Sequence, residues 1–90
     1  MISKERLKLN ISENLSRLMH ARDLSQSELG RISETSQVLV YRLRNQIMVP
    51  NAQDMANIAE ALSVTVDELI RNPEESHKNK NLQKKTMASS

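Results

Sequence analysis

The sequence predicts an all-α domain of five helices, and three observations carry that expectation. First, 90 residues contain one tyrosine, no phenylalanine or tryptophan, one glycine and two prolines. Such totals favour helices with short connections around a core of Leu, Ile, Val, Met and Ala. Second, "LSQSEL" (24–29) and "VTVDEL" (64–69) each spell a capping box enclosed by a hydrophobic staple. Third, the one strand-like phrase, "VLVY" at 38–41, reads better as helix than as strand.

The elements follow in order. Residues 1–9 show no clear period, and Lys4, Arg6 and Lys8 make them a basic N-terminal arm. Asn10 and Glu13 resemble a capping box, and Ile11, Leu15, Leu18 and Arg22 recur at helical spacing. Helix one is therefore expected from Asn10 to about Arg22, with Asp23 interrupting it. In the second box, Ser25 caps and Glu28 reaches back, while Leu24 and Leu29 form the staple, so helix two covers 26–33. Gly30 falls inside it, where glycine costs roughly 1 kcal/mol against alanine. It is either the small residue at a close helix crossing or a neutral surface glycine.

Residues 36–45 decide what the domain presents. At 100° per residue, Leu39, Val40 and Leu43 gather on one side, with Val38, Tyr41, Arg42 and Asn45 opposite. A strand would leave neither face cleanly polar and would have no partner for its backbone groups. Ser36 supplies the cap of a third helix. A connection of about three residues between two amphipathic helices is a helix-turn-helix. Pro50-Asn51 then caps a fourth helix bearing Met55, Ile58, Ala59 and Leu62 on one face. Thr65 and Glu68, with Val64 and Leu69, start the fifth near Val66, and Asn72-Pro73 ends it. The domain proper is thus 10–72. Residues 73–90 form a polar, basic tail expected to be disordered in isolation.

Composition narrows the function. There are no cysteines, which removes disulfides and thiolate metal sites. No apolar run approaches the roughly 18 residues that cross a bilayer, and the N-terminus lacks the apolar core of a secretory signal. A cytoplasmic, soluble protein is expected. Residues 1–50 carry eight Lys/Arg against five Asp/Glu, 51–71 one against four, and 72–90 four against two. A basic front and an acidic back hint at nucleic acid. His20 and His77 are far apart with no ligand spacing, Asp67 and Glu68 are helix-start carboxylates, and no serine has a histidine partner. No cofactor, metal or enzymatic activity is expected.

From Ile11 to Ile70 the chain resembles the lambda-repressor-like helix-turn-helix domains, the Cro/CI or xenobiotic-response-element class. "LSQSEL" is similar to that family's L-[ST]-Q-x-E-L, and "PNAQDMANIAEALSVTVDELI" (50–70) to its pattern P-x7-I-A-x-A-L-x-V-[ST]-x-D-E-L-[LI]. The resemblance implies a compact five-helix fold in which helix three enters the DNA major groove and dimers bind paired half-sites. It implies further that Gln37, Val38 and Arg42 face base edges, with Tyr41 at the groove wall. Phosphate contacts would come from Gln26, which also buttresses Gln37, and from Ser36, Arg44 and Asn45. Four departures stand out. Glu34 occupies the family's turn-glycine position and should hold a positive φ. Ser33 replaces an apolar residue. Met19 and Arg44 stand where an ion pair often joins helices one and three. The loop 46–49 reads "QIMV" instead of being basic.

Chemistry supports the outward stripe: Arg42 can fork onto guanine, Gln37 onto adenine, and Val38 can pack on a thymine methyl. Ile47, Met48, Val49 and Pro50 either form a symmetric dimer contact or fold partly onto the core. The expected function is a sequence-specific regulator of transcription, a Cro/CI-like repressor binding a palindromic operator in double-stranded DNA as a homodimer. The alternative is an antitoxin-like module of the same fold whose tail wraps a protein partner.

Overall fold

The computed structural model describes residues 1–74 and contains, among them, five helices: α1 (Lys4–Ala21), α2 (Gln26–Ile32), α3 (Gln37–Arg44), α4 (Ala52–Ala61) and α5 (Val66–Ile70). The tail expected from residue 73 lies, from 75 onward, outside the described residues. No described helix is long and apolar enough to cross a membrane.

Helix starts at 26 and 66 fall where the boxes place them. Ser25 Oγ accepts from the Glu28 amide and Glu28 Oε1 accepts from the Ser25 amide, both at 3.1 Å. These hydrogen bonds, the backbone one foremost, hold the Glu28 carboxyl below the usual carboxylate range. Thr65 and Glu68 repeat the arrangement. Asn51 Oδ1 accepts the Asp54 amide at 2.8 Å and caps α4.

Helix one needs correction. It begins at Lys4, not Asn10, with Ser3 as its cap, so residues 4–9 of the expected basic arm are its first turns. Leu7 extends the apolar stripe of Ile11, Leu15 and Leu18 one turn back and packs on the core. Asn10 is buried within the helix and donates to the Ile70 carbonyl at 3.1 Å. The N-x-x-E pattern there matched a cap by coincidence.

The core runs through Ile11, Leu15, Leu18, Met19, Leu29, Val40, Leu43, Ile58, Ala59, Leu62 and Leu69. Around it α3 packs against α2 and α1, and α5 packs against α1 and α4. Four connections share one design. Asp23, Glu34, Gln46 and Ser63 follow the helix ends with φ of 53°, 57°, 60° and 58°. At each, the paired backbone bonds of a Schellman motif close the helix, as in Glu34 N–H to Arg31 O and Thr35 N–H to Gly30 O. None of the four is glycine, and Glu34 holds the positive φ expected of it.

Buried amides and hydroxyls tie distant segments together. Asn14, fully buried, donates to the carbonyls of Leu69 (2.8 Å) and Arg71 (2.9 Å). These are last-turn carbonyls that a helix end leaves without partners. Asn14→Leu keeps the size but strands both acceptors. It should lower unfolding free energy by roughly 2–3 kcal/mol, read from urea melts, with loss of amide protection in α5. Unchanged stability would mean that water replaces the amide without penalty. Ser33 is buried as well, and its hydroxyl is satisfied by donating to Leu29 O at 2.6 Å.

Candidate nucleic-acid interface

The position of α3 is set at both ends. At its start, Ser36 Oγ accepts the Leu39 amide at 3.0 Å. There Gly30 of α2 comes so close that a Cβ on it would lie 2.5 Å from the Ser36 carbonyl carbon and 2.6 Å from the Gln37 nitrogen. Gly30 is therefore the small residue at the helix crossing and not a surface glycine. At the other end, Ser12 Oγ of α1 donates to the Arg44 carbonyl at 2.6 Å, and Arg44 Nε donates to Ser16 Oγ at 3.2 Å. Two serines one turn apart thus clamp the end of α3. Met19, at the helix-one position of the ion pair that the resemblance led one to look for, is buried in the core instead.

This clamp fixes which side of α3 faces out. Val40 and Leu43 are buried and Leu39 packs partly against the core. Gln37, Val38, Tyr41, Arg42 and Asn45 are exposed, Val38 at 55% and Tyr41 at 51% of their surface. The eight residues of α3 span about 12 Å, comparable to the width of the DNA major groove. α3 thus projects a row of polar and apolar side chains away from the core.

Comparison with known families agrees. The profile of the Cro/C1-type HTH DNA-binding domain matches residues 14–75. The chain belongs to that family. Its fold is shared with a crystal structure of NHTF, a hypothetical transcription factor from Neisseria, at a TM-score of 0.77 and 20% identity, covering 87% of this chain and 90% of that one. No curated protein sequence matches. In this Cro/C1-type domain, α2 and α3 are the helix-turn-helix.

The remaining expected residues divide. Among the described residues the Arg42 side chain, like those of Arg6, Arg22 and Arg31, makes no hydrogen bond or ion pair, whereas the side chains of Arg17, Arg44 and Arg71 each have a partner; Arg42 is set apart by its place on the outward face of α3. Gln26 is half-buried at the start of α2, and no hydrogen bond joins it to Gln37. Arg44 is exposed but tied to α1 by Ser16. Asn45 closes α3 and spends one amide N–H on the Tyr41 carbonyl at 2.8 Å, leaving the other free. In the following loop, Met48 and Val49 pack against the core and Pro50 is buried, while Ile47 stays 54% exposed. Among the described residues no cluster of His, Asp or Glu is placed to hold a metal ion.

Sequence reasoning missed Ser12 and Ser16, which hold the end of α3, and Asn14, which holds the end of α5. Their signal was available: Asn10/Asn14 and Ser12/Ser16 are polar pairs at i, i+4 beside an apolar helical stripe, a spacing that points both members at one neighbour.

Proposed function

We propose that this Cro/C1-type protein is a cytoplasmic, sequence-specific regulator of transcription, a Cro-like repressor that occupies a palindromic operator as a homodimer. The observation that carries the reading is the unpaired Arg42 on the exposed face of α3, flanked by Gln37, Val38 and Tyr41. The Arg42 guanidinium suits guanine O6 and N7, and the Gln37 amide suits adenine. Phosphate contacts from Gln26, Ser36, Arg44 and Asn45 would fix register without reading sequence. Repression follows from occupancy of the operator.

Selection from a randomised duplex library at two salt concentrations tests this. The expected product is an inverted repeat whose binding weakens steeply with salt. Arg42→Ala should weaken the selected site roughly 10- to 100-fold per half-site, with little change on random DNA, whereas Gln26→Ala should weaken both alike. Equal loss across all sequences for Arg42→Ala would make it a phosphate contact.

Dimerisation is supported by Ile47, the member of the 47–50 loop that keeps a large apolar surface in water. Wild-type protein should sediment as a concentration-dependent dimer and Ile47→Asp as a monomer. A monomeric wild type, or an unaltered dimer in the variant, removes this contact.

A further inference from the structure

We infer that the cleft between the end of α1, the turn after it and the end of α3 binds a small α-amino acid, whose arrival withdraws Arg44 from DNA. The cleft has a volume of about 230 Å³ and is lined by Ser16, Met19, His20, Asp23, Leu24 and Arg44. Sites for drug-sized ligands run from about 300 to 1,000 Å³, so this one suits a smaller molecule.

Its charges select the class. Arg44 spends its Nε–H on Ser16 Oγ at 3.2 Å, and its terminal nitrogens have no partner among the described residues. Ser16 Oγ accepts that bond and keeps its own proton to donate. Asp23 lines the same cleft and, among the described residues, forms no ion pair either. Opposite charges thus face one space without neutralising each other. A ligand with only a carboxylate is attracted by Arg44 and repelled by Asp23, and one with only an ammonium the reverse. A molecule carrying both groups on one carbon satisfies both walls. The terminal N–H groups of Arg44 fit a carboxylate as a fork, with Ser16 and His20 as further donors. Asp23 accepts from the ammonium. Met19 and Leu24, the apolar part of the lining, receive a short aliphatic side chain. The consequence for DNA rests on the proposed phosphate contact of Arg44, because one guanidinium cannot hold an amino acid and a phosphate at once.

The full chain tests both claims separately. Amide NMR spectra are recorded without DNA as each natural L-amino acid is added to about 10 mM. Support for the site is a saturable shift confined to the lining segments, residues 16–24 and 44, with at least one amino acid. It should vanish with the N-acetyl and the amide derivatives of that amino acid, and in Asp23→Asn and Arg44→Gln. Asparagine tolerates the left-handed backbone of residue 23, and both side chains are exposed, so both variants should fold. Shifts with no amino acid, shifts that the derivatives reproduce, or shifts that survive either substitution overturn the site and leave two solvated charges. Operator affinity is then measured with and without the amino acid that binds. Kd should rise about two- to fivefold per half-site in wild type and stay unchanged in Asp23→Asn. An amino acid that binds without altering Kd keeps the site but overturns its coupling to DNA, and strikes Arg44 from the phosphate contacts. Intact NMR shifts in a protein that binds no DNA would end the proposed function and leave the amino-acid site standing.

Discussion

Gly30→Ala is expected to destabilise the domain by roughly 2 kcal/mol, although helix propensity alone predicts a gain of about 1 kcal/mol. The two effects have opposite signs, so one chemical denaturation curve separates them. The added Cβ would meet backbone, at 2.5 Å from the Ser36 carbonyl carbon and 2.9 Å from its oxygen. Those atoms open α3 and cannot rotate away as a flexible side-chain end would. Relief requires α2 and α3 to separate, which loosens the packing of Leu29 and Val40, both fully buried. Gly30→Val, with two more methyl groups at the crossing, should not fold at all. A stabilised Gly30→Ala would show that the crossing is looser than these distances indicate. A second consequence concerns DNA: shifting the start of α3 moves Gln37 and Val38, so Gly30→Ala should lose sequence preference even under conditions where it is fully folded.

This glycine shows why parts of the fold were legible and parts were not. Signals confined to a single element were read correctly: the boxes at Ser25 and Thr65, the Asn51 cap, and the division of α3 into an inner and an outer face. Local chemistry sets these features, and the capping hydrogen bonds reach only three residues along the chain. The start of α1 was misread because the decision there is nonlocal. Asn10 looks like a cap in isolation, yet its amide is directed at Ile70, sixty residues away. The loop at 47–50 was ambiguous for the same reason. Whether Met48 and Val49 face inward depends on the core surface they meet, which no short pattern encodes. At the site, the outward-facing residues of α3 came from periodicity, while the Ser12–Arg44–Ser16 clamp required knowing that α1 passes the end of α3.

The triple replacement Glu34→Gly, Gln46→Gly and Ser63→Gly should raise unfolding free energy by about 2 kcal/mol and Tm by about 10 °C. Each residue sits in the left-handed region, at φ 57°, 60° and 58°, where an L side chain costs roughly 1–2 kcal/mol. Glycine removes that strain but widens the unfolded ensemble, which offsets about 0.4–1 kcal/mol per site. Asp23, also left-handed, is left out because a short polar side chain tolerates this conformation better. The three sites lie in separate connections, so their gains should add. Ala56→Gly, at an exposed position inside α4, is the control and should lose about 1 kcal/mol. Without that contrast, a gain could reflect a general tolerance of glycine. A triple variant no more stable than wild type would show that the Schellman hydrogen bonds and the apolar residues after them, Ile47 and Val64, already absorb the strain. The gain predicted here follows from the chain having a single glycine, which it places where α2 meets α3 because backbone there leaves no room for a Cβ, while side chains are merely strained at the turns.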